Sequence, residues 1–233
     1  MDKNHLATTL AFDVYGTLID THDIINALEK HVGDKASEFS RTWRDKQLEH
    51  SFRRGLMQNY ENFSICTRNA LDYTSSYFKV PLSNKDKEEL MGSYRVLPAF
   101  DDVAEGLDRA KKAGFRMFAF SNGSTDAVET LLKNAGIRDY FIGIVSVDEM
   151  KSYKPNPGVY SHLLRRAGAF GSNTWLISSN PFDVIGAISS GIFAAWIMRS
   201  PDEIFDPWGI EPTLTINSLL NLAEQIYQES RRP

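Results

Sequence analysis

The sequence predicts an α/β fold: a doubly wound parallel sheet, interrupted after its first strand by an inserted helical bundle. Three observations carry that prediction. A strand-like run at residues 8–12 ends in an acid, Asp13, and the turn residues Gly16 and Thr17 follow at once. From residue 98 onward short apolar runs alternate with helical stretches, the pattern of a parallel sheet covered on both faces. Between these two parts, residues 21–96 show helical periodicity only and read as a bundle inserted as a unit.

Each element has its local reason. Thr21 can cap a helix that runs to about residue 32, where Gly33 stops it. Residues 36–57 place Phe39, Trp43, Leu48, Phe52 and Leu56 at near-helical spacing, and residues 60–78 do the same with Phe63, Ala70, Leu71 and Phe78. Pro81 closes that region, and Ser83 is suited to cap a fourth helix reaching about residue 94. Beyond it come a helix at 101–113 closed by Gly114, a strand at 115–120 and a helix at 125–134. A strand at 142–147, a helix at 158–167, a strand at 174–179, a helix at 182–190, a strand at 193–198 and a final helix at 218–228 complete the alternation. The expected division is a core of residues 1–20 and 97–233 with a helical unit of residues 21–96. No internal repeat is visible, and the only biased segment is the polar tail EQIYQESRRP.

Composition narrows the function. With 42% hydrophobic and 12% aromatic residues the chain can build a packed core, which excludes a disordered protein. A net charge of -4, from 26 basic and 30 acidic side chains, provides no basic face and argues against a nucleic-acid partner. The single cysteine, Cys66, allows no intrachain disulfide and fits a reducing compartment. With no histidine near it in sequence, it reads as a small buried hydrophobe rather than a nucleophile. The start MDKNHLATT has no apolar signal region and nowhere do ~18 apolar residues run together, so the expectation is a soluble cytoplasmic protein with no membrane partner. His5, His22, His31, His50 and His162 follow no metal-ligand spacing.

The chemistry is expected at the strand ends. In open α/β sheets ligands bind outside the carboxyl ends of the strands, and an ionised Asp buried there needs dedicated donors. The first strand ends at Asp13, the second at Ser121 and Asn122, and the third is followed by Lys154. The fourth ends at Ser178, Ser179 and Asn180, with Asp183 just beyond. Singly, each has a plain reading: Ser121 and Asn122 can cap the next helix, Lys154 can be a solvated loop lysine, and Asp183 suits a helix first turn. Jointly they bring two carboxylates, an ammonium, two amides and several hydroxyls to one edge of the sheet.

Four ordered motifs, FDVYGTLID, SNGS, SYKPNPGVY and SSNPFD, resemble those of the haloacid dehalogenase superfamily. With TWRDKQLEHSFRRGLM at residues 42–57, the chain is most similar to the L-2-haloacid dehalogenases of type II. The resemblance implies a Rossmann-like core with residues 21–96 as a helical cap, and a homodimer. It implies hydrolysis of short-chain (S)-2-haloacids to (R)-2-hydroxyacids and halide through an aspartyl ester on Asp13. The resemblance assigns Asp183, Lys154, Asn180 and Ser178 to the hydrolytic water, Thr17 to the Asp13 carboxyl and Arg44 to the halide. Ser121, with the backbone around Val14 and Asn122, would receive the substrate carboxylate. Tyr15, Leu48, Phe63 and Phe182 would wall the reacting carbon, and Tyr160, which matches a tyrosine of the family, would join them in binding substrate. By pattern alone, Leu48, Phe63 and Tyr160 read equally as core residues, and Arg44 as a surface arginine.

Departures from the superfamily pattern sharpen this reading. The magnesium-dependent phosphatases carry a second Asp two residues after the nucleophile and a carboxylate at the start of the fourth motif. Here those places hold Tyr15 and the pair Ser178 and Ser179. Mg²⁺ wants hard oxygen ligands, usually carboxylate, so no metal and no cofactor is expected. Asp45 stands where the dehalogenases have Gln in the pocket; it would repel substrate and halide there, or it turns outward to pair with Lys46 or Arg41. Two alternatives stay open: a Mg²⁺-dependent phosphatase, and a non-catalytic binder of small carboxylic acids.

Overall fold

The computed structural model describes residues 7–230, which leaves His5 and the last three residues of the polar tail outside it. Six strands, β1 (Thr9–Phe12), β2 (Arg116–Ser121), β3 (Gly143–Ser146), β4 (Thr174–Ser178), β5 (Phe193–Ile197) and β6 (Leu214–Ile216), form one sheet in the order β3-β2-β1-β4-β5-β6. Every pair is parallel. The central strand β1 is flanked by β2 and β4, with Phe12 opposite Ala119 on one side and Ile177 on the other. Strand order reverses at β1, so the crevice beyond its carboxyl end is the ligand position of a doubly wound sheet.

Alternation along β1 sends side chains to opposite faces. Leu10 and Phe12 join one cluster with Val103 and Leu107 of α5 (Val103–Lys112), Val128 and Leu131 of α6 (Thr125–Asn134), and Leu222 and Ile226 of α9 (Leu222–Glu229). Ala11 joins the other, with Val159 and Leu163 of α7 (Pro157–Ala167) and Val184 and Ala187 of α8 (Pro181–Ser189). The strand β6 is missing from the expected pattern. Three residues after a loop broken by Pro201, Pro207, Gly209 and Pro212 are too few to show an alternation, and β6 exists because β5 offers it an edge.

Between β1 and α5 lie α1 (Ile24–Val32), α2 (Ala36–Leu56), α3 (Phe63–Phe78) and α4 (Asn84–Ser93). The helix α3 begins three residues later than expected because the Asn62 side chain accepts the Ser64 N–H and caps it there. Ser83 caps α4 as expected, in a capping box with Asp86. In α2 the buried stripe is Ala36, Phe39, Trp43, Gln47 and Ser51, which corrects the apolar face expected from spacing. Leu48 and Phe52 are half-buried, and Leu56 is 87% exposed. Two polar residues on the inner stripe hid the true phase of the helix.

The connection before α3 is tied to the sheet layer by two phenols. The Tyr60 hydroxyl donates to Asp148, and the Tyr153 hydroxyl donates to the Glu61 carbonyl. Cys66 is buried, with Sγ 3.3 Å from the Tyr153 hydroxyl, and burial pushes its thiol pKa up. Among the described residues no helix is long and apolar enough to cross a membrane.

Candidate active site

The site begins with the turn that leaves β1. Asp13 donates its backbone N–H to the Ile177 carbonyl at 2.9 Å, so it still belongs to the sheet. Gly16 then adopts φ +83°, a conformation that side chains disfavour, with Ser179 Oγ close by. That turn returns Thr17 to its own nucleophile candidate. Thr17 Oγ1 donates to Asp13 Oδ2 at 3.0 Å, and Asn180 Nδ2 donates to the same oxygen at 2.8 Å. The other oxygen, Oδ1, accepts from Lys154 Nζ at 2.9 Å.

Lys154 is 1% exposed and uses all three of its protons. They go to Asp13, to Asp183 Oδ2 at 2.8 Å and to the Phe120 carbonyl at 2.8 Å. Burial alone would pull its pKa down, but the two carboxylates outweigh it and the net direction is up, so the side chain stays an ammonium. Asp183 is fully buried near the start of α8. Burial raises its pKa above the ordinary carboxylate value, opposed by Lys154 and reinforced by Asp13. The ammonium thus bridges the two acids. Tyr15 and Ser179 stand where further carboxylates would be needed to complete the hard-oxygen set that Mg²⁺ usually takes.

Asp13, Tyr15, Arg44, Leu48, Phe63, Ser121, Asn122, Lys154, Asn180 and Phe182 line one small cavity of about 10 Å³. Its polar wall comes from the ends of β1, β2, β3 and β4 and the loops after them, with Arg44 of α2, and its apolar wall is shared by Tyr15, Leu48 of α2, Phe63 of α3 and Phe182 of α8. The Tyr15 ring lies 6.3 Å from that of Phe63 and 6.5 Å from that of Tyr94. Burial, then the neighbouring Tyr94, pushes the Tyr15 phenol up to about 12, so this wall carries no charge at neutral pH. Two larger clefts, of about 550 and 580 Å³, flank the cavity. Arg44 and Asn180 separate it from the first, Tyr15 and Phe63 from the second.

The remaining residues expected from the sequence take other positions. Thr17 and Asp183 reach the cluster from behind, through Asp13 and Lys154. Ser178 Oγ accepts the Asn180 N–H at 3.1 Å and shapes the turn that presents Asn180. Val14 is buried in the core, its carbonyl accepting from the Leu18 and Ile19 N–H groups at 3.0 Å. Asp45, placed in the pocket by resemblance, instead lines the outer cleft with His22, Arg41 and Glu203; the phase of α2 turns it there. Tyr160, also placed against the substrate by resemblance, is fully buried and donates its hydroxyl to Asp183 Oδ1 at 2.8 Å.

Other contributors had no role assigned from the sequence. Ser179 donates its N–H to Thr17 Oγ1 at 2.9 Å and its hydroxyl to the Gly16 carbonyl at 2.8 Å, joining the β1 and β4 loops. Arg199 Nε and Nη2 donate to the Thr17 carbonyl at 3.0 and 2.6 Å, while Nη1 pairs with Asp102 at 2.7 Å. Ser179 lies inside the SSNPFD motif, which gave it no role, and no motif marks Arg199. Gln47, bonded to Arg44, was legible only as a polar residue one helical turn on.

Comparison with known proteins agrees with the geometry. Residues 7–191 match the family model described as "Hydrolase: haloacid dehalogenase-like hydrolase". The chain is 36% identical to haloacetate dehalogenase H-2 of Moraxella sp. (strain B), over 89% of this chain and 92% of that protein. It is 33% identical to the (S)-2-haloacid dehalogenase of Pseudomonas sp. (strain YL), over 92% of each. The structure superposes with a TM-score of 0.89 on the L-2-haloacid dehalogenase of Xanthobacter autotrophicus with chloropropionic acid covalently bound, at 27% identity, covering 95% of this chain and 99% of that one.

Proposed function

The chain belongs to the haloacid dehalogenase-like hydrolase family, and from that membership we propose that it hydrolyses short-chain (S)-2-haloacids to (R)-2-hydroxyacids and halide. The observation that carries the proposal is the Asp13 carboxylate, held by Lys154, Thr17 and Asn180 at the wall of a small cavity that also presents Arg44, Ser121 and Asn122 and an apolar side of Tyr15, Leu48, Phe63 and Phe182. A carboxylate is ionised at neutral pH and needs no base to attack a carbon bearing halogen.

In the first step an Asp13 oxygen attacks Cα in line, the C–halogen bond breaks with its electron pair, and an ester remains on Asp13. Arg44 receives the halide, and Ser121 with the Asn122 region receives the substrate carboxylate. In the second step water attacks Asp13 Cγ and keeps its oxygen there, and the bond from Cγ to the ester oxygen breaks. That oxygen takes up the proton given by the water and leaves as the hydroxyl of the product. The carbon centre is therefore inverted once. Asp183, whose pKa burial raises, is suited to take the proton from that water. Lys154 supports the developing oxyanion and keeps the two acids apart.

The chemistry is proposed to need no metal, on the strength of the ammonium between the acids and of Tyr15. Residues 21–96 are proposed as the cap, which moves to admit substrate because the cavity as it stands has room for no more than about one water. A homodimer in the cytoplasm belongs to the same proposal. Leu56 and Met57, 87% and 64% exposed, offer apolar surface for self-association, and the lone buried Cys66 suits a reducing compartment.

The test is chloride release from (S)-2-chloropropionate in EDTA, with the product's configuration read by chiral chromatography. Release is expected without added metal, and Asp13→Asn is expected to abolish it. Release that requires Mg²⁺, or turnover of an aryl phosphate instead of the haloacid, would refute the mechanism.

A further inference from the structure

Arg44 lines the cavity beside Asp13, and its Nη1 donates to Gln47 Oε1 at 2.6 Å. Gln47 sits one turn further along α2, on the buried stripe, and is 2% exposed. Its Nε2 donates to Thr67 Oγ1 of α3 at 2.5 Å. Counting protons fixes the sense of this chain. The Thr67 hydroxyl has one proton and donates it to the Phe63 carbonyl at 2.9 Å, so toward Gln47 it can only accept. The amide must therefore turn its NH₂ to Thr67 and its oxygen to Arg44. The flipped amide would set NH₂ against the guanidinium and a carbonyl against an oxygen with no proton left, two buried mismatches. The helices are pinned at the same level by Trp43 Nε1, which donates to the Thr67 carbonyl at 2.9 Å.

A neutral acceptor matters at this place. A carboxylate would hold the guanidinium as firmly and cancel much of its charge, whereas an amide oxygen holds it and leaves the charge to act in the cavity. Among the described residues no carboxylate lies within 4.0 Å of the Arg44 nitrogens as an ion pair. We infer that Gln47, oriented by Thr67, is a positioning residue that holds the Arg44 guanidinium, with its charge uncancelled, against the departing halide. The inference rests on the proposed role of Arg44 as halide acceptor. Gln47 does not line the Asp13 cavity and acts through Arg44.

Stabilising the leaving anion matters more for chloride than for bromide, the better leaving group. The readout is therefore the ratio of kcat/KM for 2-chloropropionate to that for 2-bromopropionate, which covers the steps through halide departure. Gln47→Met, similar in length and without the acceptor, is expected to lower that ratio about tenfold, below the full effect of removing a charge-stabilising donor. Thr67→Val, which frees the amide to flip, should lower it in the same direction from outside the cavity, and Thr67→Ser should keep the wild-type ratio. General damage to the fold slows both substrates alike and leaves the ratio where it was. The inference is overturned if Arg44→Lys lowers the ratio while Gln47→Met and Thr67→Val do not. If Arg44→Lys itself leaves the ratio unchanged, the halide role of Arg44 fails and this inference with it. A wild-type protein that releases no halide from either acid defeats the proposed activity first, and the inference falls as its consequence.

Discussion

Tyr160 grips Asp183 from the side away from the cavity, its hydroxyl 2.8 Å from Oδ1 and 3.1 Å from the Asp183 carbonyl. That contact stabilises the ionised form of an acid whose pKa burial raises, while Lys154 holds the other carboxylate oxygen. Removing the donor raises the Asp183 pKa further. Tyr160→Phe is therefore expected to move the acid limb of the kcat profile to higher pH and to lower kcat by about tenfold at neutral pH. A profile that drops in height without moving would show that Tyr160 does not act on the titration of Asp183.

The approach of Tyr160 depends on a missing side chain. A Cβ on Gly186 would lie 2.4 Å from the Tyr160 hydroxyl and 2.7 Å from Pro155 Cβ, closer than packed atoms come. Gly186→Ala is expected to cost about 1–3 kcal/mol by overpacking and to shift the acid limb in the same direction as Tyr160→Phe. Urea denaturation and the pH profile of the same preparation measure both effects; an alanine with neither would mean that α8 yields without disturbing the phenol.

Arg199 braces the nucleophile loop from the opposite side, through the Thr17 carbonyl, and pairs with Asp102. Burial opposes the ionised form of Asp102, but the Leu219 N–H and the Arg199 guanidinium overcome it and lower its pKa. A lowered pKa contributes stability above the unfolded value, about 3.9, and that contribution is lost as pH falls through the folded value. Arg199→Met is expected to cost about 3 kcal/mol at pH 7, since it strands a mostly buried carboxylate. The gap to wild type should narrow below about pH 4. Denaturation midpoints at the two pH values check this, and a gap independent of pH would assign the loss to packing alone.

Lys154 has the opposite sign. Its folded pKa is raised, so its contribution is complete below the unfolded value of about 10.4 and is lost only as pH rises through the folded one. Lys154→Met leaves Asp13 and Asp183 without their shared ammonium. It is expected to abolish halide release and to lower stability by about 3–5 kcal/mol. A folded, equally stable and active variant would remove Lys154 from the mechanism.

The sequence by itself determined a doubly wound parallel sheet containing β1 to β5 and the convergence of Asp13, Ser121, Asn122, Lys154, Asn180 and Asp183. The reason is that short apolar strands with crossover helices admit few topologies, and those topologies set all carboxyl ends on one edge. The family motifs around Asp13 were legible for the same reason, being continuous in the chain. Only the tertiary structure decided which way side chains turn from a helix whose inner stripe is partly polar. It turned Asp45 to the outer cleft, set Tyr160 behind Asp183 and buried Gln47 under Arg44. It also added β6, whose three residues pair only because β5 lies beside them. Strand ends follow from chain direction, which local pattern reveals; helix phase and hydrogen-bond sense follow from neighbours such as Thr67 and Gly186, distant in sequence, that exist only once the chain is packed.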